Sequence, residues 1–174
     1  MGSQAAPLSN AAIRNYAWHV REAFGLTQTA RVDVEAIIDF ALPRALADFE
    51  YEVMEEGRMG SNHGLAIPDR KAMIIRADVH EGACEGRGRD RFTVIHEVGH
   101  VLLHTSDRLM LRRGTGPIKT YCDPEWQADA FAGEFLAPRR LAPPGASAQE
   151  LASNFGISLD AANTMIRKWR REDQ

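Results

Sequence analysis

The sequence predicts an α+β fold: a helical pair, a small antiparallel sheet, two longer helices that carry polar motifs, and a short helical pair at the end. Three features predict it. Capping residues precede runs with helical apolar spacing near both ends of the chain. Within residues 49–79, FEYEVMEE alternates apolar and polar side chains, as half-buried strands do, and two further strand-like runs follow a Gly/Asn-rich turn. An otherwise apolar run, HEVGHVLLH (96–104), sets histidines four residues apart. With 174 residues and 44% hydrophobic content, the chain can bury one principal core and a small additional module. The expected division is a main domain over 1–140 and a C-terminal subdomain over 146–174.

Taken in order, Ser9 is placed to cap a first helix and Asp33 a second, which the Pro43 region ends, so residues 8–46 form the helical pair. Within 49–79, FEYEVMEE reads as a strand, GRMGSNHG as a turn, and LAIP and KAMIIRADV as two more strands. EGACEGRGRD (81–90) is too rich in glycine and charge for regular structure and reads as a mobile loop. Helices then cover 91–104 and 124–136, the second opened by Asp123-Pro124 as N-cap and first residue and stopped by Pro138. After the linker RRLAPPGAS, two short helices flank Gly156. No run approaches the roughly 20 apolar residues of a membrane-spanning helix, and the opening residues lack a secretory apolar core, so a cytoplasmic location is expected. In such a compartment Cys84 and Cys122 are thiols or metal ligands rather than a disulfide. A formal charge of −3 excludes no nucleic-acid contact, because local basic patches decide that.

Residues four apart lie one above the other on a helix, so His96 and His100 project from one face and can share an ion. Zn²⁺ suits two imidazoles, and catalytic zinc keeps three protein ligands and one open position. Glu97, one residue from the first ligand, is placed to act as general base and not as a ligand. Ile95, Val98 and Leu102 form the stripe that packs the other face, and Gly99 admits a neighbouring element. The plain alternative is a packed core helix rich in histidine. A third ligand has to come from elsewhere, and Glu125 is the best candidate, with Asp129 four residues on to accept the second N–H of a ligating histidine. Glu134 points to the opposite side, while Ala128, Phe131, Ala132 and Phe135 supply the packing stripe.

At these residues the sequence resembles a known family. RFTVIHEVGHVLLH followed by EWQADAFAGEFLAP is similar to the ImmA/IrrE zinc metallo-endopeptidases, over roughly residues 30–170. The resemblance implies a zincin-like (gluzincin-type) fold, His96, His100 and Glu125 as zinc ligands, and Glu97 as catalytic base. It also implies a substrate class: helix-turn-helix transcriptional repressors, cleaved to derepress DNA-damage, mobile-element or phage-defence genes.

Other residues stay open on sequence grounds. Tyr121, His104 or an arginine of LRRG (111–114) is a candidate donor to the developing oxyanion. His104 has rotated by about 80° from His96, drifts off the metal face, and reads as a residue behind the ligands or a bystander at the helix end. Cys84, or alternatively Cys122, is a candidate inhibitory fourth ligand, with Arg87 and Arg89 favouring the Cys84 thiolate. KAMIIRADV is a candidate edge for an extended substrate. The final helices have helix-turn-helix spacing, with Arg167 and Lys168 as candidate DNA contacts. Arg87, Arg89, Arg91, Arg108, Arg112, Arg113 and Lys119 gather around the histidine helix as a solvated basic face, for which single-stranded DNA is a candidate activating partner. The competing readings are a zinc-stabilised DNA-binding regulator with a vestigial peptidase site, and a toxin acting on other proteins.

Overall fold

A computed structural model describes residues 3–105, 109–111 and 118–174, beginning with a short strand, β1 (Ser3–Ala5). Ser9 caps α1 (Asn10–Ala23) by accepting from the Ala12 N–H at 3.1 Å, and Asp33 caps α2 (Val34–Ala36) by accepting from Ala36. This second helix does not end at Pro43. It widens into a π-helical turn (Ile37–Ala41) and resumes as α3 (Leu42–Ala45), with the proline in its first turn. In the wide turn Leu42 bonds five residues back to Ile37, which makes room for a ring that would clash in a regular helix.

The sheet comprises β2 (Glu50–Met54), β3 (Gly64–Ile67) and β4 (Ala72–Arg76), and a helical turn, α4 (Glu56–Met59), joins the first two. It is mixed rather than antiparallel: β4 lies between a parallel β2 and an antiparallel β3. Burial explains the order, since Met73 and Ile75 of β4 are fully enclosed, whereas β2 exposes Glu50 and Glu52. The stretch KAMIIRADV therefore supplies the central strand, and the edges are β2 and β3.

The expected loop over 81–90 is mostly helix: α5 (Ala77–Cys84) ends there, Gly86 turns the chain at φ +86°, and α6 (Gly88–Leu103) begins. Its glycines serve close packing, because Gly82 lies directly under the Arg87 and Asp90 side chains. A strand the sequence does not signal, β5 (Leu109–Leu111), pairs antiparallel with β1. Asp123 caps α7 (Pro124–Leu136) as expected, and α8 (Ala148–Phe155) and α9 (Leu159–Glu172) flank Gly156, which adopts φ +64°. No described helix is long and apolar enough to cross a membrane.

One buried cluster runs from Ile13 of α1 through Ile95 and Val98 of α6 and Phe131 and Phe135 of α7 to Phe155 and Trp169 of the last helices. Three buried polar groups stitch it. Arg21 donates to the carbonyls of Phe135, Leu26 and Thr29, and burial lowers its pKa to about 10. Glu134, facing away from Glu125, pairs with Arg14 and with Lys168 at 2.8 Å. Arg91 is enclosed and not solvated, donating to the carbonyls of Gly156, Phe155 and Val32, so it locks the α8–α9 turn onto the start of α6.

Candidate active site

Two helices and one strand build the site. Gly99 of α6 lies against Ala128 of α7 so closely that an added Cβ would sit 3.3 Å from the Ala128 Cα. At that crossing, the first turn of α7 carries Glu125 over the histidine face of α6. Glu125's own N–H is held by Asp123 at 3.0 Å.

The Nε2 atoms of His96 and His100 lie 3.0 Å apart. Glu125 oxygens lie 3.3 Å from His96 Nε2 and 3.4 Å from His100 Nε2. These three are the only group of His, Cys, Asp or Glu among the described residues whose ligand atoms converge within 4.8 Å. A tetrahedral ion with bonds of about 2.05 Å needs ligand atoms about 3.3 Å apart, so the spacing fits zinc. The outer nitrogens support this fit: His96 Nδ1 is 2.8 Å from Asp129 and His100 Nδ1 is 2.9 Å from His104, which leaves both Nε2 atoms facing inward.

Glu97 approaches from the sheet side. It is buried, accepts the Ala66 N–H of β3, and presses against Gly64, where an added Cβ would lie 2.6 Å from its Cγ. Arg76 holds the chain entering that strand through the Gly60 carbonyl at 3.0 Å and His63 Nδ1 at 2.9 Å. Burial, with the Glu125 charge adding to it, raises the Glu97 pKa above the ordinary carboxylate value, the direction that suits a proton acceptor. Burial and the neighbouring imidazoles of His96 and His104 push His100 down to about 3. Burial acts against protonated His96 too, but the hydrogen-bonded Asp129 and the charges of Glu97 and Glu125 outweigh it, and its pKa is raised.

Other sequence candidates lie elsewhere. Of the two readings open for His104 at the end of the helix, the contacts favour a residue behind the ligands over a bystander: it is 2% exposed and bonded to both His100 and Gln127. Measured from His100 it has rotated by only about 40°, which is the spacing that would have revealed it. Gln127, Gly64 and Ala66 carried no comparable signal, because their roles come from contacts distant in sequence. Cys84 ends α5 beside His80 and Glu35, and neither cysteine belongs to the converging group. Burial and the carboxylates of Glu35, Asp39 and Asp33 raise the Cys84 thiol, while Arg87 is drawn to Asp90 at 3.1 Å. Cys122 is buried. The Tyr121 ring is half exposed beside Lys119, and it is its backbone carbonyl that meets the site's support, through Gln127. Arg89 and Arg167 line a cavity of about 780 Å³ between α6, α7 and α9. Lys168 also borders it but is committed to Glu134. Arg108, Arg112 and Arg113 lie outside the described residues.

Residues 56–167, well over half of the chain, match the family of the IrrE N-terminal-like domain, peptidase family M78. The match spans β3, β4 and every residue of the converging group. No curated protein matches the chain.

Two outcomes follow from the geometry. With His96 raised and His100 already neutral, the two imidazoles have one proton between them to give up to zinc below the His96 value. Calorimetry near pH 6 in buffers of differing ionisation enthalpy should count about one proton released per ion; a count of two would contradict the asymmetry. Gly64→Ala should drive the Glu97 carboxylate out of its buried position, so that its titration, followed by carboxyl NMR, moves back toward the ordinary range. An unchanged titration would show that Gly64 does not hold it.

Proposed function

Because the chain belongs to the IrrE N-terminal-like peptidase family, we propose that it is a zinc-dependent endopeptidase with a zincin-like catalytic domain. The reading rests on one observation: His96, His100 and Glu125 converge within 4.8 Å beside a buried Glu97. When bound there, zinc would supply Lewis-acid polarisation and ease the ionisation of water. The chain's own residues do the rest. Glu97, aligned by the Ala66 N–H, takes the proton of the attacking water and returns it to the leaving amine. Asp129 holds His96 in the ligating orientation. The strand β3 pairs with β4 on one side only, so its outer edge, where the Ala66 N–H meets Glu97, would carry an extended peptide past the site, with exposed Leu65 offering apolar contact.

The substrate class in this reading is a helix-turn-helix transcriptional repressor, as the resemblance of the two motif segments implies. Exposed Arg89, Arg167 and Arg171 along the cavity beside Asp129 favour single-stranded DNA as an activating ligand. Incubated with helix-turn-helix repressors from its own host, the zinc-loaded protein should cut one of them, faster with added single-stranded oligonucleotide. Glu97→Gln should slow that cut by about 10²–10⁴-fold with zinc content unchanged. DNA binding without cleavage by the unsubstituted protein would support a regulator with a vestigial site.

A further inference from the structure

The hydrogens around His100 are dictated from a distant residue. Gln127 is fully enclosed, and its amide nitrogen donates to two backbone carbonyls, Ala6 at 2.8 Å and Tyr121 at 2.9 Å. Carbonyls only accept, so the amide cannot turn round without opposing oxygen to oxygen twice. Its Oε1 therefore faces His104 Nε2, 3.0 Å away, and that nitrogen carries a hydrogen. His104 Nδ1 then stands 2.9 Å from His100 Nδ1, and one hydrogen lies between them. Only one assignment leaves the His100 Nε2 lone pair free toward His96 and Glu125: His100 donates from Nδ1, and a neutral His104 accepts.

We infer that His104 and Gln127 are positioning residues for His100, forming a buried, uncharged relay that fixes the tautomer and ring plane of this ligand. The inference rests on the metal-binding reading of the site but not on proteolysis. The two histidine ligands are thus held by unlike partners. His96 has the charged, exposed Asp129, while His100 has a neutral ring supported from inside the core. A carboxylate in the place of His104 would add a buried negative charge to a site that already holds those of Glu97, Glu125 and Asp129. The relay ends on the N-terminal segment, where Leu8 donates to the same Tyr121 carbonyl at 2.9 Å. Docking of β1 and the residues after it is therefore part of the support of His100.

Nitrogen NMR of the zinc-loaded, unsubstituted protein should show His104 as the neutral Nε2–H tautomer and His100 as an Nδ1–H ring bound through Nε2. Chelator competition should show His104→Leu and Gln127→Met weakening zinc by about 10–100-fold, with His104→Asn, whose oxygen can stand in for Nδ1, recovering most of the loss. A His104 ring that is Nδ1-protonated or doubly protonated overturns the inference, and so does unaltered zinc affinity in His104→Leu. Failure of the unsubstituted protein to bind zinc overturns it together with the metal-binding reading. Loss of cleavage alone, with these signatures intact, counts only against the peptidase reading.

Discussion

The contact between Gly99 and Ala128 is the constraint on which the site depends. With no Cβ at position 99, α6 lies directly against the Ala128 backbone and the Phe131 ring of α7. Three residues of α7 are placed by that single crossing. Glu125, one turn before Ala128, falls between His96 and His100; Asp129, the next residue, reaches His96; and Gln127, the preceding one, reaches His104. A larger residue at position 99 would meet the Phe131 ring and the Ala128 backbone, and a separation of even a few tenths of an ångström would be transmitted to the distances from Glu125 to both histidines.

The electrostatics divide along the same geometry. The Glu125 and Asp129 carboxylates are exposed, whereas Glu97 is enclosed between α6 and the sheet edge. Two kinds of carboxylate thus stand within one site. The exposed pair offers charge to a cation and to an imidazole, and burial raises the pKa of the enclosed one, which favours its taking up a proton. Packing supplies this difference: the close approach of Gly64 buries Glu97, and Arg76 fixes the turn that brings Gly64 there.

Much of this was legible in the sequence because it depends on local spacing. The i, i+4 pairs His96/His100 and Glu125/Asp129, the caps at Ser9, Asp33 and Asp123, and the stripe from Ala128 to Phe135 are set by helical geometry alone. What was not legible depends on partners distant in the chain. The placement of β4 between β2 and β3 follows from which strand the helices cover, and a local alternation pattern is silent on that. Arg91 looks like its exposed neighbours until the α8–α9 turn supplies the Phe155 and Gly156 carbonyls and the segment before α2 supplies that of Val32. Glycines suggesting a loop at 81–90 were instead compatible with tight helix packing.

The central claim is that a zinc ion is held by two imidazoles and one carboxylate drawn from α6 and α7. Zinc K-edge absorption fine structure on the loaded protein tests it most directly. The account predicts a shell of nitrogen and oxygen only, at about 2.0–2.2 Å with the multiple-scattering signature of two imidazoles. A sulfur scatterer at about 2.3 Å, or fewer than two imidazoles, would contradict it.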